Sequence, residues 1–372
     1  MNKKIAFAGP WITQKEIDFV AEAAEEGHYE TFDKYIKLFE KKTSEYFGAY
    51  TLGTHCATHA LHLACATLGL KEGDEVITTD HSWAATAFAI TYTGAKCVFV
   101  DIDPITLCID SAKIEEAITP RTKAIMVVHN FGIPADMDTI RDIAMWYNLD
   151  IIEDAAPALG STYHGIKCGT LSDIGCISFQ GAKIAISQEG GLFITNNESL
   201  YKKGLLLSSM GRTDRESPFW CDEVGFQYTI GSLPAAMATI QLSRIDELVA
   251  NKRKIYGWYN ERLGNSPMFT MVHEKENTRA NYTYPSLWLD DDIPLTNTYI
   301  IAELKKLNIH PRPGFPPMSL FPMYKSDKRF ENPVAYKFWK RGIVLPAAHN
   351  LVEEDVDFVC DSLVKIIKEG KE

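Results

Sequence analysis

No two cysteines of this chain stand in a CxxC pair. The eight lie singly, at positions 56, 65, 97, 108, 168, 176, 221 and 360, so neither a thiolate zinc site nor a thioredoxin-like motif is indicated and reduced thiols are the simplest expectation. Long apolar runs are missing too. Nothing is long enough to span a bilayer, and the opening "MNKKIAFAGPWITQKEID" lacks the apolar core of a signal peptide. Positive charge is the scarcer sign, with 38 Lys and Arg against 49 Asp and Glu and a formal net charge of -11. That balance argues against nucleic acid or an anionic membrane as the main partner. A local basic pocket on an acidic protein can still hold an anionic small molecule. Internal repeats and low-complexity tracts are also absent. These absences leave a soluble, cytoplasmic protein as the expectation, with no metal site.

What is present fits an ordinary globular chain: 46% hydrophobic and 23% charged residues. Its 372 residues exceed what one domain usually needs, and the expected division is a large domain over 1–245 and a smaller one over 246–372. Apolar residues at helical spacing in "DKYIKLFEKKTSEYF" (33–47) predict a helix, and "THCATHALHLACATLG" predicts another that ends at Gly69. Beyond it, short β-branched runs alternate with amphipathic stretches. "DEVITT" (74–79), "KCVFVDI" (96–102), "KAIMVVHN" (123–130) and "LDIIED" (149–154) read as strands. The alternation predicts an α/β fold with a mostly parallel central sheet covered on both faces. Two further strands, 174–179 and 190–196, bracket Lys183. A long helical pattern from Leu233 leads into a smaller α/β domain, and the proline-rich "HPRPGFPPMSLFPMY" (310–324) predicts a loop of fixed shape.

The chemistry is concentrated around one lysine. In "SFQGAKIAISQEGG" (178–191) Lys183 has apolar company, with Ala182, Ile184, Ala185 and Ile186 beside it. A strongly hydrated ammonium in such surroundings is either a surface lysine or an amine whose pKa is depressed for Schiff-base chemistry. Ligands of open parallel sheets bind at the carboxyl ends of the strands. Asp154 stands at one such end, either as a cap or as the partner of a protonated ring nitrogen. Thr58, near the start of an Ala-rich helix, is either an N-cap or part of a phosphate site at the helix N-terminus. Trp83, in "DHSWAAT", is either core or a platform for a planar ring. Together the four describe a planar aromatic ligand with a basic nitrogen, a phosphate and an aldehyde, which is pyridoxal 5′-phosphate.

The ordered series "ATHALHLA", "SWAAT", "NFGIPADMD", "IIEDAA", "GCISFQGAK", "QEGG" and "SRIDELVANKR" resembles the DegT/StrS family of PLP-dependent sugar aminotransferases, from "GPWITQKEID" to "GIVLPAAHNL". The resemblance implies the fold-type I aminotransferase architecture, a homodimer with active sites at the subunit interface, and L-glutamate as amino donor to a keto- or aldehydo-sugar. It makes Lys183 the internal-aldimine lysine and proton carrier, Asp154 the pyridine-nitrogen partner and Trp83 the stacking platform. Ala57, Thr58 and Ser178 fall where the family grips phosphate, and Glu189 falls in its Gly-Glu-Gly-Gly turn, where a structural role is expected.

Three departures from the pattern stand out. Pro157 replaces the Gln or His that reaches the cofactor's phenolic oxygen. In "YTIGSL", Ser232 aligns with an Asn that the partner subunit offers to the phosphate, and Thr229 replaces an arginine. Arg312 is kept where relatives line the sugar site, while Ser319 replaces a His. Members acting on nucleotide-linked sugars and members acting on the eight-carbon sugar acid of lipopolysaccharide both fit. Two other readings remain: a PLP-dependent deoxysugar dehydratase, whose relatives carry His in place of the lysine, and a non-catalytic sensor on the same fold.

Overall fold

Side chains that are stiff at Cβ and apolar on both faces build the centre of the molecule, as a sheet sandwiched between helices requires. The computed structural model describes residues 3–213, 219–325 and 329–370. Along the chain come β1 (Tyr50–Thr54), β2 (Glu75–Thr79), β3 (Lys96–Val100), β4 (Thr122–Val128) and β5 (Asp150–Asp154). A small hairpin, β6 (Thr162–Tyr163) and β7 (Ile166–Lys167), precedes β8 (Ile174–Ser178) and β9 (Gly191–Thr195). Seven strands form one sheet in the order β1-β9-β8-β5-β4-β2-β3. The pairs from β3 to β8 are parallel, and β9 is reversed against both of its neighbours. Strand β1 is not apparent in the sequence because it reads "YTLGT", with no aliphatic run. Its Gly53 is required by packing: a Cβ there would lie 2.6 Å from the Ile230 side chain.

Helices α1 (Gln14–Glu26), α2 (Lys34–Phe47), α3 (Ala57–Thr67), α4 (Ala85–Thr91), α5 (Ile114–Ala117), α6 (Met137–Tyr147), α7 (Glu198–Ser208), α8 (Ser232–Ser243) and α9 (Ile245–Leu263) accompany this sheet. Helix α2 buries Tyr35, Phe39, Thr43 and Phe47 along one face and stops at Gly48 in the left-handed region. The single helical run expected after Leu233 is two helices. They part at Arg244, whose guanidinium is held by the buried Glu16 carboxylate at 2.7 Å and by the Trp11 carbonyl.

The C-terminal part adds β10 (Phe269–Met271), β11 (Thr278–Arg279), β12 (Ser286–Leu289), α10 (Asn297–Lys306), β13 (Arg312–Pro313), α11 (Pro333–Arg341), β14 (Gly342–Val344) and α12 (Glu353–Glu369). Its antiparallel sheet runs β10-β12-β14-β13. The N-terminal segment joins this part, since Ile5 bridges Ile309 and the Phe7 carbonyl accepts from Ala347 N–H. Strand β11 crosses back to pair with β6. The proline-rich segment is anchored through Asp80, whose buried carboxylate accepts from the Ser319 N–H, the Ser319 hydroxyl and Asn332 at 2.6–2.7 Å. Among the described residues no helix is long and apolar enough to cross a membrane.

Candidate active site

Lys183 sits in the 180–188 loop between β8 and β9, and the apolar residues after it are its moorings. Ile184, Ala185 and Ile186 are buried in the core, while Lys183 is half-buried. Three side chains from distant elements hold the loop's backbone. Tyr284 donates to the Ala182 carbonyl at 2.6 Å, the His349 ring meets the Ile184 carbonyl at 3.0 Å, and Gln241 accepts from Ile186 N–H at 3.2 Å. Desolvation pulls the Lys183 ammonium below the usual lysine range, with the charge of Asp154 opposing. No hydrogen bond or ion pair among the described residues engages its Nζ.

Asp154 ends β5 and is 5% exposed. No helix begins after it, so the helix-cap alternative has no helix to serve. The Thr86 hydroxyl donates to Oδ2 at 2.7 Å, and Ala156 N–H donates to Oδ1 at 3.2 Å. Thr86 is bonded in turn to Ser82 at 2.9 Å. Burial pushes the Asp154 carboxyl up, while Thr86, Lys183, Ala156 and His129 pull it back. An oriented carboxylate in this setting is stabilised by a cation placed beside it, because a buried charge needs a partner.

Helix α3 begins at Ala57, with Cys56 in the cap position and no side chain capping it. Thr58 is therefore inside the first turn and is not the N-cap. The N–H groups of a first turn lack intrahelical partners and attract anions. This helix end lies against the start of β9: Cys56 bridges Gly190, and a Cβ on Gly191 would come within 2.6 Å of Cys56 and Ala57 backbone atoms. Ser178, at the end of β8, pairs with Gly191, and its hydroxyl accepts from Gln180 N–H. The structure thus gathers Ala57, Thr58 and Ser178 around one glycine-lined corner. The Glu189 side chain next to it is exposed.

Trp83 is 67% exposed, which sets aside core packing. A chain of rings leads from it, each within 6.3 Å of the next: Trp83, Phe315, Phe131, Tyr284 and Phe7. The Arg312 guanidinium lies over Phe7 at 5.5 Å. Arg312 is exposed and, among the described residues, no carboxylate pairs with it. Lys4 and Lys305 lie close enough, with Arg312, to depress the His310 ring after burial has done so, and this makes the rim locally basic on an acidic chain. Ser232 stands apart from this group as the first residue of α8. Its hydroxyl donates to the Phe32 carbonyl at 2.6 Å, beside the exposed side chains of Tyr29, Phe32 and Leu233. Pro157 contributes only its carbonyl, which accepts from Asn281 and Thr283. Ser319 is buried against Asp80, so it anchors the loop.

Several relevant residues carried no signal in the sequence. Thr86 is one of many threonines, and Tyr284 and His349 meet the lysine loop from far along the chain. Lys252 is a second desolvated amine, pushed down to about 7 by burial, but it is 1% exposed with its Nζ donating to the Ala347 carbonyl. Buried His129, Glu153 and Cys168 are close enough to suggest a metal site. His129 nevertheless uses both nitrogens, toward Glu153 and Ala135 N–H, and Glu153 also accepts from Gly169, Leu171 and Ser172. A cation there would have to displace these bonds.

His81 is fully buried among Phe131, Phe315 and Phe338, with neither ring nitrogen hydrogen-bonded. Burial pushes its pKa down to about 3 from 6.5. It stays neutral when folded and takes up a proton on unfolding, so its contribution is whole above pH 6.5 and is lost as pH falls toward 3. In His81→Phe, the loss of stability between about pH 7 and about pH 5 is expected to shrink by roughly 2 kcal/mol in urea melts. An unchanged pH difference would contradict a neutral, buried His81.

The donor set fits pyridoxal phosphate: a desolvated amine free to condense, an oriented buried carboxylate, a glycine-lined helix start and an exposed indole. Comparison with known proteins agrees. Residues 10–364 match the DegT/DnrJ/EryC1/StrS aminotransferase family. The GDP-perosamine synthase of Caulobacter vibrioides is 37% identical over 368 residues, 98% of each chain. That of Escherichia coli O157:H7 is 36% identical, over 97% of this chain and 98% of its own. Spr1654 of Streptococcus pneumoniae, solved in its PLP form, superposes with a TM-score of 0.90 at 26% identity over 100% of both chains. The chain belongs to the DegT/DnrJ/EryC1/StrS aminotransferase family and is a pyridoxal-phosphate-dependent sugar aminotransferase.

Proposed function

We propose that this enzyme moves the amino group of L-glutamate to a nucleotide-linked keto-sugar, with Lys183 as the residue that carries the cofactor and moves the proton. The observation that carries this reading is the desolvated, unpaired Lys183 amine beside the buried Asp154–Thr86 pair. Bound there, pyridoxal phosphate supplies a carbonyl that condenses with amines and a ring that draws electrons from the bond being broken. Asp154 would hold the ring nitrogen protonated, with its carboxylate oriented by the Thr86 hydroxyl. Lys183 takes a proton from the donor's carbon and returns one to the sugar's carbon, a role suited to an amine of lowered pKa. Ala57, Thr58 and Ser178 would hold the phosphate, and Trp83 would supply an apolar face for the ring.

Nucleotide-linked sugar is favoured because both GDP-perosamine synthases above span nearly the whole chain, and because the rim carries unpaired Arg312 with Lys4 and Lys305 nearby. Arg312→Lys keeps the charge and loses the planar fork. It is expected to weaken the sugar half-reaction about 10-fold or more while leaving the glutamate half-reaction within about twofold, a loss typical of one charge-assisted pair. Stopped-flow traces of the two halves separate the outcomes. Equal losses would assign Arg312 to the fold or to the donor's carboxylate.

We further propose that the working unit is a homodimer, through the face where Ser232 lies among exposed Tyr29, Phe32 and Leu233. The Ser232 hydroxyl is given to the Phe32 carbonyl, so a bond to the partner subunit's cofactor phosphate would need it to turn away from Phe32. Phe32→Glu is expected to yield a monomer by sedimentation and to lose activity with it. A wild-type monomer that is fully active would refute this. The overall reading is tested with nitrogen-labelled glutamate and a panel of nucleotide-linked and free carbonyl sugars. Label is expected in a nucleotide-linked amino-sugar by mass spectrometry, and label only in free sugars would refute the substrate class.

A further inference from the structure

The backbone on either side of Lys183 is held from the C-terminal part of the molecule. The carbonyl before the lysine, Ala182, accepts from the Tyr284 hydroxyl at 2.6 Å, and the carbonyl after it, Ile184, meets the His349 ring at 3.0 Å. Each peptide plane is rigid, so the held Ala182 carbonyl fixes the plane that enters Lys183 and the held Ile184 carbonyl fixes the plane one residue beyond it, and the backbone torsions of Lys183 and Ile184 are confined between two anchored planes. The Lys183 Cα–Cβ bond is then aimed by residues that never touch the amine.

Each holder is itself held. The Tyr284 ring stacks on Phe7 at 5.0 Å and 10°, and Phe131 meets it edge-on at 6.0 Å. For His349, Asn251 Nδ2 lies 3.1 Å from Nδ1 and 2.9 Å from the His349 carbonyl. An amide N–H pointing at Nδ1 makes that nitrogen the acceptor and puts the ring proton on Nε2, toward Ile184. Burial, then the positive charge of Lys252, push His349 down to about 3, so this tautomer is not disturbed by protonation at neutral pH. Lys252 and Arg244 are the charged groups around His349, and Asp154 is the one coupled to Lys183.

We infer that Tyr284 and His349 are positioning residues that aim Lys183 by gripping the carbonyls before and after it. The inference rests on Lys183 being the cofactor-carrying residue, so that is checked separately, by borohydride reduction and peptide mapping of the wild-type holoenzyme. Tyr284→Phe keeps the stack on Phe7 and removes the hydroxyl. His349→Phe removes the ring N–H, and His349→Gln offers an amide N–H in its place.

Holoenzyme of each variant is titrated against pH while its visible absorbance, which reports protonation at the Lys183 linkage, is recorded. Tyr284→Phe and His349→Phe are expected to keep a full complement of cofactor and to move that titration by about one pH unit. Their kcat is expected to fall roughly 10- to 100-fold with both KM values within about threefold, since a misplacement of ~1 Å is felt in the rate. His349→Gln is expected to return the titration most of the way to wild type. A merely structural role would lower the melting temperature and leave the titration where it was. An unmoved titration in both Phe variants, or a shift that His349→Gln leaves unchanged, overturns the inference.

Discussion

Lys183→Ala is expected to abolish turnover, with a loss of about 10⁵-fold or more, because an amine held against its reaction partner acts at an effective molarity of that order. The variant should fold, since Lys183 makes no side-chain bond that supports the core and the moorings at Ala182, Ile184 and Ile186 are backbone atoms. Small primary amines in the buffer are expected to restore a little activity to Lys183→Ala, and none to Lys183→Arg, whose guanidinium stays protonated and fills the space. Lys252→Met is the matching control. It removes the other desolvated amine but leaves apolar volume in a site that is 1% exposed, and its activity should stay within a few-fold of wild type. Equal losses in the two variants would remove the distinction between them.

The second large effect is at Asp154. Asp154→Ala and Asp154→Asn are both expected to retain cofactor and to slow the reaction by ~10³ or more, an effect worth roughly 4 kcal/mol. The Asn variant is the sharper test, because it keeps the size of the side chain and an oxygen for Thr86 to bond while removing the charge, at the cost of one acceptor atom. If charge on the ring nitrogen is what matters, Asn is as damaging as Ala. A near-normal rate in Asp154→Asn would reduce the carboxylate to a bonding partner of Thr86. Thr86→Val isolates the orientation: losing one hydrogen bond to a charged group costs about 1.5–3 kcal/mol at most, or roughly 10- to 100-fold.

The parts of the site that the sequence displays are those whose meaning is local. Lys183 stands out because Ile184, Ala185 and Ile186 beside it are the loop's anchors, and the run from β2 to β5 is legible because each strand is a short β-branched segment. Asp154 is legible as the end of such a strand. What stays hidden is long-range. Tyr284 lies 102 residues from Ala182, His349 lies 165 from Ile184 and Gln241 lies 55 from Ile186, and in each case the partner is a backbone atom that no side-chain pattern marks. Strand β1 is hidden for another reason. Its Gly53 is set by the approach of Ile230, so the residue that a strand pattern disfavours is the one the packing demands. The helix break at Arg244 is likewise fixed by Glu16 and Trp11, which lie 228 and 233 residues away in sequence.

The central claim is that Lys183, and not the other desolvated lysine, carries the cofactor. Borohydride reduction of the purified holoenzyme, followed by digestion and mass spectrometry, tests it most directly. The expected result is one pyridoxyl group per chain, on the peptide that contains Lys183, with Lys252 unmodified. A pyridoxyl group on Lys252 or on any other lysine, with Lys183 bare, would contradict the account.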